Sequence, residues 1–482
     1  MTWLSQHRLT AVLIVLLLAA AVFLTIMLCT PPKQQPAKVV VYKQPGSIAP
    51  NKEIAVWVEE APLFVYETAV NHNRRWSESP DTSTAAMSYF DFEGRVKVEV
   101  SAQDVQSAVV RPLSLGITPQ VKDGVASFWL DRPAHLTIEL NGDYTRALHL
   151  FANPLETEIP DEDDPNVLYF GPGVYETGIF EVKSGQTVYL AGGAVVYGGI
   201  IGDGVENVRV MGRGLFDGGI YDRWAQTTVP VNFKSSKDIH IEGIGFMNPA
   251  GWTVNAYFCK DVTVDNIKII TARSNGDGVT LQSCSDVMVT NSFVRTWDDS
   301  LVVKNYDNGN TDDIRFENIV VWTDLAQSCE VGYETYGDSM QNITFENITV
   351  LHNFHKPVMS IHNSDQAEIR NVTFKGITVE DAQMGDGDGT PYLMEVTVAS
   401  SQWSKSPARG LVDGVLFEDI AVLGGKIPGS NFRGYNENSM VRNIAINNLT
   451  IGRQRITNMA QGKIQALLYA ENITIDGVRQ GV

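Results

Sequence analysis

A six-residue figure, apolar-x-apolar-x-(Asn, Gly or Asp)-apolar, recurs through the second half of the chain and narrows its fold more than any other feature. It reads Ile239-His240-Ile241-Glu242-Gly243-Ile244, Val262-Thr263-Val264-Asp265-Asn266-Ile267, Val287-Met288-Val289, Ile314-Arg315-Phe316-Glu317-Asn318-Ile319, Ile343-Thr344-Phe345-Glu346-Asn347-Ile348 and Val372-Thr373-Phe374-Lys375-Gly376-Ile377. These starts are 23, 25, 27, 29 and 29 residues apart, and later copies begin at Val415, Ile444 and Ile473. Strict alternation marks a short strand with one buried face. A slowly drifting period of this size marks stacked coils whose loops grow on one side. The expected fold is all-β, a right-handed parallel β-helix in which alternate side chains point inward and stack on the same position of the next coil. Asn266, Asn318 and Asn347 fall where each strand bends, and their amides are expected to form ladders there. The Asn-x-Thr triplets at Asn342, Asn347, Asn371, Asn448 and Asn472 follow the repeat and are read as part of its grammar rather than as glycosylation signals.

Upstream of the repeat, the alternating runs Val39–Tyr42, Ile54–Val58, Val96–Val100 and Leu136–Leu140 are separated by turn signals such as Asn141-Gly142, with no helical stripe between them. Residues 39–158 are therefore expected to form a β-sandwich. The acidic segment Pro160–Pro165 is the boundary, and residues 159–482 are assigned to the β-helix. The wide interval from Val372 to Val415 contains Met384-Gly385-Asp386-Gly387-Asp388-Gly389-Thr390, which lacks the ligand spacing of a calcium loop and reads as a surface excursion.

Residues 1–38 form a different kind of segment. Ala11–Cys29 is an uncharged apolar stretch of 19 residues, preceded by Arg8 and followed by a Pro/Lys/Gln linker from Pro31 to Lys38. Its length suits an uncleaved membrane anchor with the N-terminus inside, and a cleaved signal peptide is the alternative. Leu28 before Cys29 disfavours lipidation. The remainder is expected outside the cytoplasm, tethered or secreted. A net charge of -19 excludes nucleic acid and anionic membrane surfaces as partners. Beyond the apolar stretch only Cys259, Cys284 and Cys329 remain, without zinc-like spacing. Buried thiols are the plainer reading, and a Cys259–Cys284 disulfide on neighbouring coils is the other.

A second row of strands runs through Trp252-Thr253-Val254, Gly278–Leu281, Ser300–Val303, Glu330–Tyr333 and Val358–Ile361. Asp277 and the pair Asp298-Asp299 stand just before the second and third of these. One lap of chain separates Gly278 from Ser300, so Asp277 and Asp299 should share a place on successive rungs, about 4.8 Å apart along the stack. Asp298 should point elsewhere. Crowded carboxylates raise one another's pKa, which suits acid–base catalysis. Along the same face lie Trp252, Tyr257, Trp297, Lys304, Tyr306, Glu330, Tyr333, Glu334, His352, His355 and His362. From these, Trp252, Trp297, Lys304, Glu330, Tyr333, His355 and His362 are the expected substrate contacts, because sugars need aromatic faces beside hydrogen-bonding groups.

Asn275-Gly276-Asp277, followed 21 and 22 residues on by Asp298 and Asp299, resembles the polygalacturonase family of inverting glycoside hydrolases, family 28, which has Asn-Thr-Asp and then a double Asp on a parallel β-helix. The preceding sandwich is similar to the related dextranase and isopullulanase family, family 49. The resemblance implies that Asp298 is the general acid, that Asp277 and Asp299 hold and deprotonate the attacking water, and that no metal or cofactor is used. Crowding is then expected to keep a proton on Asp298 near neutral pH.

Polygalacturonases carry Gly-His-Gly and Arg-Ile-Lys on the following rungs, where this chain has Ser328-Cys329-Glu330 and Met359-Ser360-Ile361. Losing the Arg clamp for a substrate carboxylate points to a neutral polysaccharide. His355 or His362 is the candidate to replace the missing imidazole. Two alternatives stay open: a calcium-dependent lyase or epimerase with Lys304 or a nearby base abstracting a proton, and a non-catalytic glycan-binding solenoid.

Overall fold

The computed structural model describes residues 37–223 and 229–481; the apolar stretch Ala11–Cys29 and its expected anchoring role lie outside them. Among the described residues no helix is long and apolar enough to cross a membrane, and one helical turn, Leu113–Leu115, interrupts an otherwise β chain.

Two sheets open the chain. One joins Lys38–Val41, Ser83–Glu93, Asp143–Pro154, Ala134–Leu140 and Ala108–Arg111 in that order, with Tyr66–Val70 also paired to Ser83–Glu93. The other orders Ala61–Pro62, Ile54–Val58, Val96–Ala102, Val125–Leu130 and Gln120–Lys122. Their alternating apolar residues, Val56, Val98, Phe90, Leu136, Ile138 and Leu148 among them, meet in one core. Asn141 and Gly142 both take positive φ, which suits the twist of the hairpin they close.

From Val167 to Arg479, 32 strands form one continuous sheet wound into coils, in which strands pair in parallel with their counterparts one coil away. Among the described residues, antiparallel pairing enters this sheet only where Gln454–Arg455 and Val478–Arg479 fold back on their neighbours. The repeated figure is in register throughout: Ile239, Val262, Val287, Ile314, Ile343, Val372, Val415, Ile444 and Ile473 are successive partners. Each of the central copies is bracketed by left-handed residues. The one just before the figure is Asp261, Asp286, Asp313, Asn342 or Asn371, and the one at its fifth position is Asn266, Asn291, Asn318 or Asn347, all at φ between 49° and 58°. Asn and Asp tolerate that conformation better than other side-chain-bearing residues, so the polar letters of the figure are dictated by the two bends. Of the amide ladder expected at Asn266, Asn318 and Asn347 one rung forms, with Asn347 Nδ2 donating to Asn318 Oδ1 at 2.5 Å, while the Asn291 amide turns to Asp265; at the other bend Asn371 Nδ2 donates to Asn342 Oδ1 at 3.3 Å.

The array begins earlier than the figure suggests, because Val208 is already the partner of Ile239. In that coil the final apolar letter is Arg213, whose Nε reaches Asp91 of the sandwich at 3.0 Å. Cys259, Cys284 and Cys329 are buried free thiols, so the disulfide alternative is set aside.

The sandwich lies along one flank of the helix. Tyr66, Val70, Met87, Tyr89 and Phe151 pack on a row contributed by successive coils, Leu215, Met247, Ile270, Phe293 and Trp322. Charged groups pin the same seam: Arg111 bonds Glu139 and Glu380, each at 2.8 Å, and fully buried Arg295, paired with Asp324 at 3.1 Å, reaches His149 of the sandwich at 3.0 Å. His352, expected beside the site, instead sits in this seam between Glu139 at 2.5 Å and Asp381 at 2.8 Å.

Inside the helix, Phe316, Phe345, Phe374 and Phe417 stack almost parallel at centroid spacings of 4.9, 5.1 and 5.1 Å. Phe345 is sandwiched on both sides and fully buried. Replacing it with Ala should destabilise the protein by about 3–5 kcal/mol, read from denaturant unfolding; a loss under about 1 kcal/mol would contradict a tightly stacked core.

Candidate active site

The aspartate trio is built by two turns on consecutive coils. In the first, Asn275 takes φ 57°, Thr271 Oγ1 donates to the Gly276 carbonyl at 2.6 Å, and the Gly276 amide donates to the Arg273 carbonyl at 3.0 Å. The chain leaves this turn at Asp277, whose carbonyl accepts from the Thr253 amide and hydroxyl of the coil before. Gly278 then donates to the Asp299 carbonyl at 2.8 Å, and Val279 to Ser300 at 3.0 Å. A Cβ at Gly278 would lie 2.4 Å from the Ser300 carbonyl oxygen, so the close approach of these two rungs requires glycine. The second turn is held from within by a chain of hydroxyls, Thr296 to Ser300 to Thr323 to Ser328, at 2.7, 2.8 and 2.8 Å.

Asp277 and Asp299 thus stand in register, 2% and 8% exposed, while Asp298 is half-buried and reaches the cleft. Asp298 accepts from the Asn275 amide at 2.9 Å through Oδ2 and from the Asp299 amide at 3.2 Å through Oδ1. Asp299 Oδ1 accepts from the Gln327 amide at 3.1 Å. Lys304 is the register partner of Gln282 on the next coil; its Nζ is 3.7 Å from Asp277 Oδ2, 3.3 Å from Glu334 Oε2 and 5.4 Å from the centroid of the Trp252 ring.

Burial pushes the Asp299 carboxyl up to about 7, with the charge of Asp298 adding to the effect. Asp277 is also raised well above the usual carboxylate range, by burial first and by Asp298 and Asp299, against the opposing pull of Lys304. The acid shift anticipated from crowding therefore falls on these two recessed groups. Burial alone would lower the Lys304 ammonium, but Glu334, Asp277 and Asp299 hold it above its ordinary value.

All three aspartates line one open cleft of about 700 Å³. Of the expected substrate contacts, Trp252, Lys304, Tyr333 and His355 line it too. Trp297, Glu330 and His362 do not. Trp297 is fully buried with its indole N–H donating to the Asn73 carbonyl at 3.0 Å. Glu330 is fully buried and spent on the Ser360 hydroxyl and on His362 Nδ1 at 2.8 Å. His362 lies beneath Tyr333, ring on ring at 4.2 Å, and bonds Glu395 through Nε2 at 3.3 Å. Burial opposes its protonation, but the Glu330 and Glu395 carboxylates push it up to about 9. These three form the layer under the cleft floor. Tyr257 and Tyr306 lie outside the lining, with the Tyr257 hydroxyl bonded to Asp307.

His355, proposed for the missing imidazole, has both ring nitrogens engaged, Nδ1 with the Leu325 carbonyl at 3.1 Å and Nε2 with Asp388 at 2.8 Å. Asp388 belongs to the Gly385–Gly389 excursion, which is pinned against the sandwich: a Cβ at Gly387 would lie 2.0 Å from the Arg74 carbonyl oxygen. The excursion is a wall of the cleft. Trp76, Arg223, Gln327, Lys356, Gln402 and Trp403 also line it and are not apparent from repeat position, since they come from turns or long insertions. A second cavity, about 560 Å³ at the seam around Leu155 and Asn318, contains none of the three aspartates.

Residues 192–323 match the profile described as Glycosyl hydrolases family 28. That segment contains Asp277, Asp298 and Asp299, so the likeness carried by the aspartate motif extends along the first half of the helix. Among solved structures, Dex49A from Penicillium minioluteum is similar over 90% of this chain and 96% of its own, with a TM-score of 0.61 and 16% identity. The family 28 exopolygalacturonase from Yersinia enterocolitica is similar over 93% and 95%, with a TM-score of 0.50 and 14% identity. At these identities the likeness is one of fold, and it takes in the sandwich as well as the helix. A search of curated protein sequences gives no match.

The raised carboxyl of Asp299 has a consequence for stability. Its folded pKa lies above the unfolded value of about 3.9, so ionisation opposes folding and stability falls as pH climbs from 4 towards 7. Asp299→Asn, which keeps an acceptor for the Gln327 amide, should be more stable than the parent at pH 8 by about 4 kcal/mol, with the difference vanishing near pH 4. Denaturant unfolding at both values checks this, and equal stability at pH 8 would contradict it.

Proposed function

We propose that this chain is a glycoside hydrolase that cleaves a neutral polysaccharide or oligosaccharide in one displacement, with inversion at the anomeric carbon. The observation that carries the reading is the in-register pair Asp277 and Asp299 beside the more exposed Asp298 in a single open cleft. Asp298 faces the leaving group and protonates the glycosidic oxygen. Asp277 and Asp299, recessed together, orient a water and take its proton as it attacks the opposite face of the sugar. Inversion needs carboxyl groups about 6.5–9.5 Å apart across the bond so that this water fits.

The trio works as a unit in proton terms. An Asp299 carboxyl at about 7 keeps a proton within the cluster up to neutral pH, available to Asp298 once a substrate displaces solvent. Lys304 supplies the balancing positive charge and keeps Glu334 turned inward. The rate should therefore fall as pH rises through about 7 and the cluster loses that proton. A profile of kcat/KM flat from pH 6 to 9 would contradict this account.

A neutral substrate is favoured because two of the cleft's three Lys and Arg side chains are committed, leaving Lys356 as the one without an ion pair among the described residues. Lys304 is held by Asp277 and Glu334, and Arg223 by Asn275, the Ser274 carbonyl and Glu78. Against them stand Asp277, Asp298, Asp299, Glu334 and Asp388, which repel a polyuronide. The apolar stretch Ala11–Cys29 fits this reading as the export signal or tether that brings the enzyme to an extracellular polymer.

The decisive experiment incubates the protein with dextran, starch, β-glucan and polygalacturonate and follows new reducing ends. Hydrolysis of a neutral member is expected, with Asp298→Asn slower by about 10²–10⁴-fold; an unaffected variant would sink the assignment. Activity should persist in a chelator, since the Lys304 ammonium occupies the place among the carboxylates that a divalent cation would need. A chelator-sensitive reaction giving an ultraviolet-absorbing product would instead establish the lyase reading.

A further inference from the structure

Two tryptophans at the cleft are exposed in a way that packing does not explain. Trp76 is 58% and Trp403 47% exposed, yet each sits on a segment that is itself tightly held. The Trp76 segment belongs to the sandwich and is fastened to the very coils that build the aspartate turns. Asn71 Nδ2 donates to the Ala272 carbonyl at 3.0 Å, the Asn73 carbonyl accepts from the Trp297 indole at 3.0 Å, and the Ser77 carbonyl accepts from Ser274 Oγ. Arg74 completes the anchorage, bonding the Asp324 carbonyl at 3.0 Å with its guanidinium 3.8 Å from the centroid of Phe354.

Trp403 comes out of the long insertion after Val398. Asp365 Oδ1 accepts from the Lys405 and Ser406 amides at 2.6 and 2.7 Å, and Ser404 Oγ donates to the Ser364 carbonyl at 2.7 Å. The backbone is thus fixed on both sides of Trp76 and just after Trp403, while each ring stands in solvent. By contrast Trp129, also exposed, lies on the sandwich's other sheet under Arg95 at 4.8 Å and away from the cleft. An indole held rigidly with a face in water forfeits burial that a turn of chain would supply, and such a face is what the C–H side of a pyranose ring stacks upon.

We propose that Trp76 and Trp403 are sugar-stacking platforms flanking the aspartate trio, so that the sandwich is part of the substrate-binding machinery and the protein favours neutral chains long enough to engage both rings. This rests on the reading of the cleft as a glycan site. It adds the residues that set chain-length preference and assigns the sandwich a direct role. A cleft of about 700 Å³ accommodates several sugar rings rather than one, in keeping with platforms set apart from the bond that is cut.

The test uses full-length Asp298→Asn protein in native gels cast with dextran, starch, β-glucan or polygalacturonate, with migration reporting affinity. Retardation is expected in at least one of the three neutral gels. Adding Trp76→Ala or Trp403→Ala should weaken it about 10- to 100-fold each, as expected for losing one buried apolar ring face. Trp76→Phe should restore most of the affinity, and Trp129→Ala should change nothing. The proposal is overturned if no neutral gel retards the parent, if both Ala variants bind like the parent, or if retardation occurs in polygalacturonate alone. Because binding is read on a variant disabled for hydrolysis, the two readings fail separately. Binding through both tryptophans without hydrolysis by the wild-type protein would sink the hydrolase assignment alone, and hydrolysis untouched by removing the rings would sink the platforms alone.

Discussion

The cleft depends on the parallel backbone ladder that lays one coil on the next. Donation from Gly278 to the Asp299 carbonyl at 2.8 Å, and from Ser300 to Gln327 at 2.9 Å, fixes the rungs at strand spacing. Two acidic groups separated by 22 residues in sequence become neighbours in space. Nothing in the local chemistry of an aspartate favours this crowding, and burial makes it more costly. The cost is met by the surrounding frame, whose aromatic stack, bend ladders and hydroxyl chain leave the turns no other place to go.

The sandwich answers a second need. A solenoid offers a smooth flank and a shallow face, and a polymer-cleaving site requires walls. Seam contacts such as Arg111 with Glu139 and Glu380 hold the sandwich against the helix, and the 71–78 segment and the Gly385–Gly389 excursion then meet at Arg74 to raise one side of the cleft. Removing one partner from such buried pairs leaves an uncompensated charge, so the seam is a place where remote substitutions would reach the site.

Much of this is legible in the chain. The nine starts from Ile239 to Ile473 give the coil count and register for that stretch because inward residues must be apolar and bends must be left-handed. The aspartate trio is legible for the same reason, since register follows from spacing. Trp297, Glu330 and His362 are misread because a strand's alternation tells which residues leave the core side but not how deep the next layer is. Trp297 is roofed by the sandwich segment at Asn73, and His362 by Tyr333. Trp76 and Trp403 are missed because their positions come from long connections, whose path depends on contacts such as those at Asp365 that no periodicity encodes. The early coil at Val208 is hidden because Arg213 replaces the expected apolar letter to reach Asp91.

If the recessed pair grips the water while Asp298 serves the leaving group, the configuration of the new reducing end must be opposite to that of the bond cut. Proton NMR of the earliest product, before mutarotation, measures this directly on whichever polysaccharide the protein cleaves. The account predicts the inverted anomer as the first signal to rise. A first product of retained configuration would require one of the aspartates to attack the sugar itself, and would contradict the assignment of Asp277 and Asp299 as holders of water.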